Sequence, residues 1–166
     1  MAINKLHYDM DGLDKIRKSL EKAKDFRAQV GIFENKDARA ASGSQGLGNA
    51  DIGFRHEFGF TISEGPFQGI RVAARSFLRM PIRTHIEQIA KMMKTDAMIL
   101  LQQCKVELLF KRLGIAATNT ILEAFQTSGW GTWKENSPVT IILKGSDKPL
   151  IDTAQLERSI VSRVTK

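Results

Sequence analysis

The chain has 166 residues, a formal net charge of +7 and 42% hydrophobic residues, with a mass of 18.6 kDa and a pI near 9.7. That size and apolar content fit one folded domain around one core and exclude a largely disordered chain. The single cysteine, Cys104, excludes an internal disulfide or a multi-thiol metal site.

Met1 to His7 carry no apolar run long enough for a secretory leader, and the longest clean apolar patch, Ala97 to Leu101, is too short to span a bilayer. From Asp11, a candidate N-cap, Leu13, Ile16, Leu20 and Ala23 recur at helical spacing. The pattern predicts a helix over about 12–24 with one apolar face. Lysines and arginines, Lys15, Lys18 and Lys22 among them, fill much of the rest. Phe26 to Phe33 alternates as a strand, with Ala28, Val30 and Ile32 on one side.

From Glu34 to Asn49 the chain turns small, polar and glycine-rich, which predicts a long mobile loop. Glu34, Lys36, Arg39 and Leu47 are its candidate partner-docking residues. Asn49 is a candidate cap for a short helix to Phe58, with Ile52, Phe54 and Phe58 available for burial and Gly59 as its stop. Phe60 to Ala74 reads as extended, with a turn near Glu64-Gly65-Pro66.

Pro81 suits the first turn of a helix. Ile82, Ile86, Ile89, Met93, Ala97, Leu100, Cys104 and Leu108 then recur at steps of three and four, predicting a long helix to about Leu113 with Cys104 in its core. Gly114 is placed to end or kink it. Ala117, Ile121, Leu122 and Phe125 continue a helical pattern, broken by Ser128-Gly129-Trp130-Gly131. Ser137-Pro138 can open a short helix or a strand, and the β-branched run Val139 to Leu143 favours a strand. A short helix near Leu156, capped by Asp152 or Thr153, and a strand through Ile160, Ser162 and Val164 finish the chain. The sum is a single α+β domain: a small antiparallel sheet packed against one long helix and several shorter ones.

Catalytic patterns are missing. His7, His56 and His85 are scattered, His56-Glu57 lacks a second histidine at metalloprotease spacing, and Gly43 to Gly48 lacks the Gly-Lys-Ser/Thr of a phosphate loop. No Gly-x-Ser-x-Gly elbow occurs. The reading is a chain without catalytic residues, metal or cofactor. The basic excess is not gathered into one run. Arg71, Arg75, Arg79 and Arg83 would form a phosphate-facing stripe only on one continuous helix, and Arg71 to Ser76 reads as extended. Subunit contacts suit these arginines better. Trp130 and Trp133, flanked by glycine, suit core filling or a protein interface.

Several segments, in order, resemble the bacteriophage virion-morphogenesis families that include neck and tail-completion proteins. They are Val30-Gly31-Ile32-Phe33-Glu34; Asn49-Ala50-Asp51-Ile52-Gly53-Phe54-Arg55-His56-Glu57-Phe58-Gly59; Ala74-Arg75-Ser76-Phe77-Leu78-Arg79; Ser137-Pro138-Val139-Thr140; Lys144-Gly145-Ser146-Asp147-Lys148-Pro149-Leu150-Ile151-Asp152-Thr153; and Leu156-Glu157-Arg158-Ser159-Ile160. The chain departs from the pattern at Ala73, where proline is usual, and at Ala154, where glycine commonly follows the Asp-Thr pair. Gly131-Thr132-Trp133-Lys134 replaces a more proline-rich stretch.

The resemblance implies a structural protein of the virion, assembled in the host cytoplasm and acting at the head–tail junction as a ring, taken as a hexamer. Its implied partners are head-closure or adaptor proteins, tail-terminator or tail-tube proteins, and DNA passing through the lumen, with Lys15, Lys18 and Lys22 of the basic first helix as the candidates for facing it, and no membrane. Arg75, Phe77, Arg79, Trp130 and Trp133 are the interface candidates, with the apolar pair Phe77-Leu78 expected to be buried and the arginines to reach neighbours. The alternative reading is a basic nucleic-acid-binding module.

Overall fold

The computed structural model describes residues 10–33, 47–151 and 154–166. In chain order these form α1 (Met10–Ala23), β1 (Arg27–Ile32), α2 (Asn49–Phe58), β2 (Phe60–Thr61), β3 (Arg71–Val72), α3 (Arg79–Gln102), α4 (Val106–Gln126), α5 (Pro138–Lys144), α6 (Gln155–Arg158) and β4 (Ile160–Thr165). The architecture is α+β, as the pattern of elements predicts.

Two small antiparallel sheets are present. β1 pairs with β4 in the register Arg27↔Thr165 to Ile32↔Ile160, and β2 pairs with β3 as a hairpin. α4 lies across the β1–β4 pair, and α3 folds back along α4. The principal core gathers where these layers meet: Phe77, Ile121, Phe125, Trp133, Leu156 and Ile160 are all buried together. Phe77 and Trp133 each meet Phe125 edge-on, at 5.2 and 5.7 Å between ring centroids, the orientation favoured by aromatic quadrupoles. A second cluster, Phe26, Leu101 and Val106, packs with Ala23 where α1 meets the α3–α4 turn. There the Ser19 hydroxyl donates to the Leu101 carbonyl at 2.8 Å.

Several expectations are corrected. The long helix does not run to Leu113. It stops at Gln102, turns through residues 103–105 and restarts at Val106. Cys104, expected in the core, is exposed on this turn with a left-handed φ of 55°. Its apolar neighbours keep helical spacing on both sides, so the reversal left no mark in the period. Gly114 neither ends nor kinks a helix; it sits inside α4, buried against β4.

Residues 138–144 are helical, not extended. Here a local cap outweighs β propensity: the Thr140 amide donates to Ser137 Oγ at 3.2 Å, Pro138 occupies the first turn, and Gly145 closes the helix in the left-handed region. Asn49 is the first residue of α2 and not its cap. Gly48 precedes it, and the Gly48 amide donates to the Asp51 carboxylate at 3.2 Å. α1 begins at Met10, so Asp11 lies inside its first turn and does not cap it. Residue 154 caps α6, while Asp152 and Thr153, the expected caps, lie outside the described residues.

Candidate assembly surface

Two of the segments behind the resemblance, 49–59 and 74–79, meet at one buried carboxylate. α2 turns Glu57 inward, 4% exposed, although a glutamate near a helix end normally faces water. Its oxygens accept from Ser76 Oγ at 2.6 Å, the Leu78 amide at 2.9 Å, the Arg79 amide at 3.2 Å and Arg79 Nε at 2.9 Å. Glu57 thereby caps the start of α3, where Leu78 has no side chain able to do so. Burial pushes the Glu57 carboxyl upward. The donors from Leu78, Ser76 and Arg79 outweigh that and leave it below the usual glutamate range.

The same ion pair holds a surface cluster. The Arg79 side chain remains about half exposed, and its guanidinium carbon lies 4.3 Å from the centroid of the Phe58 ring. Phe58 in turn stands 4.9 Å from Phe54. Both rings, expected to be buried, are open to solvent, at 51% and 67%. An arginine stacked on one of two adjoining exposed aromatics, held from beneath by an ionised carboxylate, is the composition of a protein-docking hot spot.

Arg75 behaves differently from Arg79. It was expected to contact a neighbour, yet it is buried. Its Nε donates to the Lys134 carbonyl at 2.9 Å, and its Nη2 to the Glu135 carbonyl at 3.1 Å and to Asn136 Oδ1 at 3.3 Å. Asn136 Nδ2 donates onward to the Asp147 and Lys148 carbonyls at 3.0 and 3.2 Å. Arg75 is an internal clamp that fastens the strand-to-helix connector to the segment before α5. Burial lowers its proton affinity.

Of the other interface candidates, Phe77 and Trp133 are buried in the chain's own core and are unavailable to a neighbour. Trp130 is partly exposed and stacks on His85 at 4.0 Å between centroids. Lys15, Lys18 and Lys22 are exposed and share one side of α1. Leu47 is half-buried, whereas Glu34, Lys36 and Arg39, with most of the predicted loop, lie outside the described residues. Arg71 lies on β3 and Arg83 on α3, so the four arginines form no single helical stripe.

The surface also carries many apolar side chains. Sixteen large hydrophobic side chains are exposed among the described residues, from α1 through α5. Single exposed apolar residues are ordinary, but rows of them along neighbouring helices mark contact surfaces. Among the described residues, no group of three His, Cys, Asp or Glu side chains stands close enough to hold a metal ion, and no helix is long and apolar enough to cross a membrane. Compared with known proteins, the chain matches no family model, no curated protein and no solved structure.

Proposed function

We propose that this chain is a structural protein of a tailed-phage particle, a neck or tail-completion protein that works at the head–tail junction as part of a ring. The observation that carries the reading is the Phe54–Phe58–Arg79 cluster over buried Glu57. It is built by two of the segments that carry the resemblance, and it presents aromatic and arginine anchors at the surface. The exposed apolar rows support the same reading, because a protein that works in an assembly leaves such surface for its neighbours. Its partners are then further copies of itself, head-closure or adaptor proteins, and tail-terminator or tail-tube proteins, in the virion.

The test is electron microscopy of particles made by the phage with this gene deleted. Full heads and finished tails that fail to join, with joining restored by added protein, are expected. Restoration should fail with F54S/F58S, whose changes lie on the surface. Normal infectious particles without the protein would overturn the reading.

A second reading, a basic nucleic-acid-binding module, draws on the exposed row Lys15, Lys18 and Lys22. It predicts tight, steeply salt-dependent binding of duplex DNA by the isolated protein, weakened by K15E/K18E/K22E.

A further inference from the structure

We infer that copies of this chain join head to tail, with the Leu13–Leu20 stripe of α1 seated in the groove between α3 and α4 of the next copy. The inference rests on the ring reading and specifies its contact.

The body of the protein holds α1 by one side only. Ile16, Ser19 and Ala23 face inward, while Leu13 and Leu20 beside them stay 56% and 51% exposed. They stand seven residues apart, about 10.5 Å along a helix. Met92 and Ile99 on α3 repeat that spacing, at 56% and 46% exposure, and so do Leu108 and Ile115 on α4, at 39% and 55%. Between the two helices runs a groove of about 360 Å³, lined in part by Met92, Ile115, Ala116 and Thr120. Met92 and Ile115 line the groove, and Ile99 and Leu108 continue the two rows beyond its lined end toward the α3–α4 turn; two such rows accept a third helix whose own row has the same period.

The edges match in charge. Asp96 and Arg112 along the groove satisfy each other at 2.6 Å. That leaves the Glu123 carboxylate, which has no ion-pair partner among the described residues. Arg17 and Lys24 flank the leucine stripe. Their present partners, Asp14 and Glu21, are exposed neighbours on the same segment, and such pairs exchange easily.

The two surfaces also point apart. α1 packs at Leu101, whereas the groove opens at Met92. Nine residues separate these positions, about two and a half helical turns, so they project from opposite sides of α3. A contact between different surfaces on opposite sides of one subunit propagates, and it closes a ring when the rotation permits.

The test uses the full chain and two variants, L13E/L20E and I115E, with mass read by light scattering over a concentration series. Wild type is expected to grow with concentration, and each variant to be monomeric with an unchanged circular-dichroism spectrum. Each variant keeps one intact surface, so an equimolar mixture should give a dimer and nothing larger. A mixture that stays monomeric, or variants that assemble like wild type, would overturn the pairing. So would a wild type that is still monomeric near ~1 mM, the weakest contact of interest. None of these outcomes bears on whether deletion stops heads and tails from joining, so the ring contact and the junction role fail separately.

Discussion

Gly114 in α4 lies so close to Ser162 in β4 that a methyl group at Gly114 would come within 2.9 Å of Ser162 Cβ and 3.0 Å of its Oγ. Helix and sheet approach here through a missing side chain. Gly114→Ala is a favourable change in an isolated helix, yet in this protein it should destabilise by about 1–3 kcal/mol through overpacking. Adding Ser162→Gly should recover part of that loss, and a double-mutant cycle by urea denaturation measures the coupling.

Glu57→Gln should lower stability by about 2–3 kcal/mol, since charge-assisted bonds to two amides, a hydroxyl and a guanidinium are weakened together. The pH dependence follows from the sign of the shift. The folded carboxyl sits below its unfolded value, so its contribution is complete above the usual glutamate range and disappears as pH falls through the folded value. Thermal melts of wild type should therefore lose stability in acid more steeply than those of Glu57→Gln. Parallel curves would exclude Glu57 as a source of the acid sensitivity.

Arg75→Lys keeps the charge and loses the fork. One ammonium cannot reproduce the bonds to Lys134, Glu135 and Asn136. The variant should lose about 2 kcal/mol. Amide exchange should rise in residues 134–136, while α1 keeps its protection.

Ala154 adopts φ 56° and ψ 15°, a left-handed conformation that costs an alanine about 1–2 kcal/mol. In the pattern that this segment resembles, glycine is common here. Ala154→Gly should raise the denaturation midpoint by the equivalent of about 0.5–1 kcal/mol, after the extra entropy of glycine in the unfolded chain is deducted. A lowered midpoint would mean that the alanine methyl makes packing contacts worth more than the strain.

The sequence disclosed the elements whose signal is local. Leucines at helical spacing marked α1, alternation marked β1 and β4, and Glu64-Gly65-Pro66 marked the hairpin. It misled wherever one local signal concealed another. Leu100, Cys104 and Leu108 keep step through a chain reversal, because a three-residue turn between helices can preserve the spacing that a continuous helix would show. The β-branched run after Pro138 drew the reading toward a strand although Ser137-Pro138 could also open a helix, and the Ser137–Thr140 hydrogen bond decides for the helix.

The candidate site was legible as a motif and not as an arrangement. Arg79 could be singled out, but its anchor could not. A glutamate one position before Phe58 gives no sign that it will be buried, since its donors come from a segment that follows the hairpin. The phenylalanines misled in the opposite direction. Hydrophobicity predicted burial for Phe54 and Phe58, and α2 spends its inward face on Asn49, Gly53 and Glu57 instead.

The pairing of β1 with β4 joins a strand near the start of the described chain to its last strand. Every helix from α2 to α6 belongs to the loop that this pairing closes, so the sheet forms late and carries a large closure entropy. During synthesis, β1 waits with an unpaired edge until β4 has left the ribosome. A product cut short before Ile160 never supplies that partner and keeps the open edge.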